Sequence, residues 1–143
     1  MTPTVRAVLL GAFLGSLAVA ATLALLVLVG VIPTAGYVAS WTAVAGGGWV
    51  TAAVFGGALF VLIGTLWGLP FAWIPNPTIP KAWLWALVPT AWAWIGWPLV
   101  LGNPLFSGGD PKSIILGLVM NVGIWGTILG AYARRAAPTV GRL

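Results

Sequence analysis

Ionised side chains interrupt this chain only at its gaps. Arg6, Lys81, Asp110, Lys112, Arg134, Arg135 and Arg142 are the complete set, and they fall at the ends of, or between, four long apolar runs, at residues 5–32, 49–69, 81–101 and 113–134. About 20 apolar residues wound as an α-helix cross the roughly 30 Å hydrocarbon core of a bilayer, and each run is long enough. In lipid a helix satisfies its own backbone N–H and C=O groups, which an isolated strand does not. The pattern predicts an all-α integral membrane protein: a four-transmembrane-helix bundle filling residues 1–143 as one domain.

Helix punctuation refines this outline. Thr2 as N-cap and Pro3 in the first turn open the first span, and Pro33 stands just past its end. Arg6, the apolar stretch and Ala18-Val19-Ala20 also resemble a signal peptide, but the apolar run continues to Ile32, longer than a signal core. The segment is therefore expected to be retained as a helix. Residues 33–48 are uncharged, and Tyr37 and Trp41, four apart, would share one face of a short helix at headgroup depth. Pro70 is expected to end the second span, and the proline-rich residues 70–80 to form a rigid turn. Pro89 and Pro98 each remove a backbone hydrogen bond inside the third span, which predicts one proline-kinked helix. Asp110-Pro111-Lys112-Ser113 is an N-cap with proline at the first helical position, so the lone acid belongs to a loop.

Orientation follows from the basic residues. With four spans, both termini and the 70–80 turn share a side, which holds Arg6, Lys81, Arg134, Arg135 and Arg142 against Lys112 alone opposite. The positive-inside rule then predicts cytoplasmic N- and C-termini, in a plasma (inner) membrane. The same cations predict anionic lipid headgroups as partners near Arg6, Lys81, Arg134 and Arg135, and no nucleic acid.

Composition agrees with lipid as the solvent. The chain is 61% hydrophobic and 5% charged, where a soluble domain carries about a quarter charged residues. It has neither cysteine nor histidine, which removes disulfides, thiol chemistry, the common zinc sites and the usual haem ligands. No Ser-His-Asp set, paired carboxylates or glycine-rich phosphate loop is present, so no enzyme is expected, and no metal or cofactor held by its own polar side chains.

Three stripes of small residues stand out at helical spacing: Gly11, Gly15, Ala18 and Thr22; Gly57, Gly64 and Gly68; and Gly123, Gly126, Gly130 and Ala133. Lipid supplies no hydrophobic drive for helix association, so such stripes hold helices together by close backbone approach, within the bundle or against a partner subunit. Gly64-Thr65-Leu66-Trp67-Gly68 resembles Gly126-Thr127-Ile128-Leu129-Gly130, a match that convergent packing explains as well as duplication does. Thr22, Thr51, Thr65, Thr90 and Thr127 are expected to bond back to their own helices.

Ten tryptophans mark depth. Trp41, Trp49, Trp73, Trp83 and Trp85 lie near span ends, where an indole anchors to headgroups. Trp92 falls mid-span, where it either packs beside Pro89 or stacks on a flat apolar ligand such as a quinone or carotenoid. Asn121 is the strongly polar residue well inside a span, and its amide requires a hydrogen-bond partner on another helix, another chain or a bound lipid. These features favour a non-catalytic accessory subunit of a larger membrane complex. Base rates for small helical chains point to a respiratory electron-transfer complex such as a terminal oxidase. The alternative is a homo-oligomeric channel or transporter for an apolar or gas-like permeant, since the spans lack the ionisable groups that transporters place at midplane.

Overall fold

The computed structural model describes residues 3–136; the expected Thr2 cap and Arg142 lie outside them. The described residues form the helices α1 (Pro3–Leu28), a short α2 (Gly36–Ala45), α3 (Trp49–Trp73), α4 (Ile79–Leu101) and α5 (Pro111–Ala136), with a 3-10 turn at Leu105–Gly109 before α5. All but α2 are long and apolar enough to cross a membrane, so the chain is an all-helical, multi-pass membrane protein.

The span boundaries shift from the sequence expectation for local reasons. α1 stops at Leu28 and not at residue 32, because Gly30 takes a left-handed φ of 74°. Its N–H bonds Val27 O at 3.0 Å while Val31 N–H bonds Leu26 O at 2.9 Å, the paired bonds of a Schellman cap. The α-helical part of α3 ends at Gly68, two residues before Pro70. The chain tightens into a 3-10 turn over Leu69–Trp73, and Pro70 sits in its first positions, where no N–H is required. The turn expected from Pro70 therefore starts only after Trp73. α4 begins at Ile79, where the Thr78 hydroxyl caps Lys81 N–H at 3.3 Å. α5 begins at Pro111, with Asp110 accepting from Ser113 N–H at 2.9 Å. The Ser113 hydroxyl and N–H together hold the Asp110 carboxyl below its ordinary range.

The helices pack in the order α3–α1–α5–α4. α1 and α5 form the middle of the bundle, with 33% and 28% of their apolar windows buried, against 11% for each of α3 and α4. Val8, Ala12, Val19, Trp125, Leu129 and Ala133 are the buried residues at that central seam. The consecutive spans α3 and α4 thus stand on opposite flanks, without a shared packed face.

Both flanking helices and the central α5 are interrupted by a widened turn. Ala52–Gly56 in α3, Trp92–Gly96 in α4 and Val119–Gly126 in α5 are π-helical. The segment in α4 follows Pro89, which has no N–H to give the Trp85 carbonyl. π-turns are rare and recur at functional sites.

Candidate functional site

Close helix approach depends on where glycine stands. A methyl group added at Gly11 would lie 2.8 Å from Tyr132 Cβ, and one at Gly15 would lie 3.2 Å from Trp125 O, so that stripe is pressed against α5. Gly64 and Gly68 receive the Ser16 and Ala12 side chains of α1. Gly126 and Gly130 receive α4, with an added methyl 3.3 Å from Ala82 O and 2.7 Å from Ile79 Cα respectively. Gly57 faces the Tyr37 ring at 3.6 Å, and Gly123 has nothing within 4 Å. The stripes therefore hold this bundle together, apart from Gly123, whose face is open. Because Gly64 and Gly68 meet α1 whereas Gly126 and Gly130 meet α4, the two similar pentapeptides occupy different packing roles.

The flanks left apart by this arrangement enclose a cleft of about 630 Å3 between α3 and α4. Its floor comes from the central helices through Ser16, Val19, Asn121 and Trp125. Phe60, Gly64 and Trp67 form the α3 wall, and Pro89, Trp92 and Trp97 the α4 wall. α2 closes one end. Gly56 makes this closure possible, since any Cβ there would lie 2.6 Å from Tyr37 O. Tyr37 and Trp41 of α2 both face α3, with Trp41 stacked on Phe55 at 5.6 Å and Tyr37 against Phe60 at 5.6 Å. All three π-helical segments contribute to the walls, through Gly56, Trp92 and Asn121.

Two indole hydrogen bonds frame the cleft. Trp97 Nε1 donates to Ser40 Oγ at 2.9 Å and ties α4 to α2. Trp85 Nε1 donates to Trp67 O at 2.9 Å and bridges α4 to α3 at the other end. Trp83 Nε1 likewise donates to Thr127 Oγ1 at 2.9 Å. Trp41, Trp83 and Trp85, which lie near span ends, thus also make contacts inside the protein through their rings or N–H groups. Thr127, expected to bond its own helix, instead accepts from α4. Thr22, Thr65 and Thr90 do bond back, each to the carbonyl four residues earlier.

Polar groups at the cleft divide into the satisfied and the unsatisfied. Ser16 donates to Ala12 O at 2.8 Å and accepts from Trp125 Nε1 at 3.1 Å. Tyr37 donates to Ala20 O at 3.4 Å, and burial raises its phenol above the ordinary pKa, so it is neutral at physiological pH. Asn121 lines the cleft and its carboxamide has no hydrogen-bond partner among the described residues. Trp41 Nε1 is buried and also lacks a partner. Of the partners expected for Asn121, one on another helix is not found among the described residues, which leaves another chain or a bound molecule. No Lys, Arg, Asp or Glu lines the cleft.

Trp92 is 49% exposed, at the rim, and its ring lies over Gly96 of its own helix. Leu59 and Ile63, each 44% exposed, complete the rim on the α3 side. The mouth thus opens sideways, where a bilayer would lie. Among the cations, Lys81 Nζ bonds Pro75 O at 2.6 Å and Asn76 O at 3.1 Å, stapling the turn before α4, and Lys112 Nζ bonds Val31 O at 2.7 Å. Arg6, Arg134 and Arg135 are exposed.

Comparison with protein-family models, curated proteins and solved structures finds no match to this chain. Gly56, Ser16 and the α3–α4 cleft itself were not singled out from the sequence. A hydroxyl at Ser16 within an otherwise apolar run, and the Gly56-Gly57 pair, were the available signals.

Proposed function

We propose that this chain is a non-catalytic membrane protein that holds a lipid-soluble molecule in the cleft between α3 and α4, as an accessory subunit of a larger membrane complex. The observation that carries this reading is the cleft itself. It is of the size at which whole small ligands are bound, lined by aromatic rings, open toward lipid, and furnished with one unpaired amide. Closing α3 onto α4 would gain packing, yet the small residues of α3 are turned to α1 and α2 and those of α4 to α5, so the gap is built into the small-residue pattern.

In this reading the glycines assemble the bundle, α2 caps the cleft, and Arg6, Arg134 and Arg135 fix depth against anionic headgroups on the cytoplasmic side. A respiratory complex such as a terminal oxidase is the assembly proposed, since such machinery uses lipid-soluble carriers. A pore through this cleft would need a path from end to end, whereas the cleft is bounded by α2 and by the Trp85–Trp67 bond.

The test is native mass determination of the protein purified in mild detergent through a C-terminal tag. A chain carrying a bound neutral molecule, alone or with larger subunits, is the expected result. A bare homo-oligomer that conducts an apolar solute in liposomes would overturn the reading in favour of a channel.

A further inference from the structure

Resting on the ligand-holding reading above, we infer that the cleft recognises a neutral, flat, conjugated ring bearing a carbonyl oxygen, the chemistry of a quinone, and that the Asn121 amide donates to that oxygen. The position of Asn121 is the first argument. It lies ten residues into α5 from Pro111, about 15 Å along the helix at 1.5 Å per residue, near the middle of a roughly 30 Å hydrocarbon layer. An unpaired amide in hydrocarbon is costly. A molecule entering sideways from the bilayer would supply that partner.

Charge narrows the class. Without a cationic group in its wall, the cleft offers nothing to neutralise a phosphate, so a phospholipid headgroup is disfavoured at Asn121. A pure hydrocarbon would fill the space but leave the carboxamide unpaired. Neutral molecules with a hydrogen-bond acceptor remain.

Shape narrows it further. Trp125, one helical turn from Asn121, shares the floor, while Trp92 and Phe60 stand on the two walls. Indole and phenyl faces favour offset or edge contact with another flat π-system. The rim residues Leu59 and Ile63 are half exposed, which lets an apolar tail pass sideways into lipid while the ring stays inside. The π-helical turn of α5 centres on the segment that carries Asn121, a device that recurs where a helix presents a functional side chain.

The experiment uses the full chain in lipid nanodiscs, with decyl-benzoquinone as probe and decylbenzene, which has the tail but no oxygens, as competitor. Quinone binding is read as saturable quenching of tryptophan fluorescence. Asn121→Leu removes the amide without leaving a polar group in lipid, Asn121→Gln keeps a carboxamide, and Ala93→Phe blocks the exposed rim of the cleft. The expected result is saturable quenching in the native protein, an affinity about five- to tenfold weaker in Asn121→Leu, and partial recovery in Asn121→Gln. Decylbenzene should compete weakly with the native protein and equally well with Asn121→Leu. Unchanged quinone affinity in Asn121→Leu, with binding lost in Ala93→Phe, would overturn the amide's role and leave the ligand-holding reading standing. Saturable quenching that Ala93→Phe leaves intact would place the quinone elsewhere and overturn the inference. A native protein that binds neither molecule saturably would overturn the inference and count against the reading beneath it.

Discussion

Leucine at position 130 should disrupt the bundle from within. A Cβ at Gly130 already meets Ile79 Cα at 2.7 Å, Ala82 Cβ at 2.9 Å and Ile79 N at 3.2 Å. Two of these atoms are backbone at the first turn of α4, so no rotamer change makes room. The helices must separate, and van der Waals contact that lipid cannot replace in kind is lost along the whole α4–α5 face. The expected cost is about 3 kcal/mol, at the upper end for overpacked sites. Gly123→Ala on the same helix is the control. Nothing lies within 4 Å of its added methyl, and alanine is the better helix former, so stability should rise by about 0.5–1 kcal/mol. Reversible unfolding in mixed micelles, followed by circular dichroism, measures both. Equal effects at the two positions would show that the stripe faces outward and that packing is not what it serves.

Trp125→Ala is expected to be comparably damaging for the opposite reason. The indole is 4% exposed, presses on Gly15, and bonds Ser16 at 3.1 Å. In water-soluble proteins a buried tryptophan truncated to alanine costs about 3–5 kcal/mol, part of it transfer free energy and part the void. Lipid is as apolar as the core, so the transfer part largely vanishes and the packing part remains. About 2–3 kcal/mol is therefore expected, with Trp125→Phe recovering much of it because the ring contact survives. Since Trp125 also floors the cleft, the alanine variant should enlarge it and loosen ligand binding, which separates this residue from a purely structural one. Full stability in Trp125→Ala would mean that α1 and α5 do not meet through this side chain.

Hydropathy alone placed the spans, because the solvent penalty on a charge or a bare backbone group is large and acts along the sequence. Boundaries were less legible. Pro70 marks the end of the α-helical part of its span, but a 3-10 turn accommodates it and carries on to Trp73. Gly30, whose left-handed φ ends α1, lies inside an apolar run that hydropathy treats as uniform. The glycine stripes were visible at helical spacing, but spacing does not say which neighbour each stripe meets. That choice depends on the α3–α1–α5–α4 order, a long-range property. For the same reason the cleft was out of reach. It arises because spans consecutive in sequence end up on opposite flanks, and no local pattern encodes a gap. Asn121 and Trp92 were legible as anomalies, a mid-span amide and a mid-span indole, and both stand at the cleft. The inter-helix bonds of Trp83 and Trp85 were not legible, because a position near a span end does not say which neighbouring helix an indole reaches.

Whether the cleft is occupied in the cell decides the account. Native protein and Ala93→Phe protein, expressed and purified side by side, can be extracted with organic solvent and the extracts separated and weighed by mass spectrometry. Ala93 is exposed at the rim, so the added ring blocks the cleft without entering the α1–α5 core. The account predicts one neutral species at about one copy per chain in the native extract, absent from the variant, with phospholipids equal in both. Identical extracts from two equally folded proteins would contradict it.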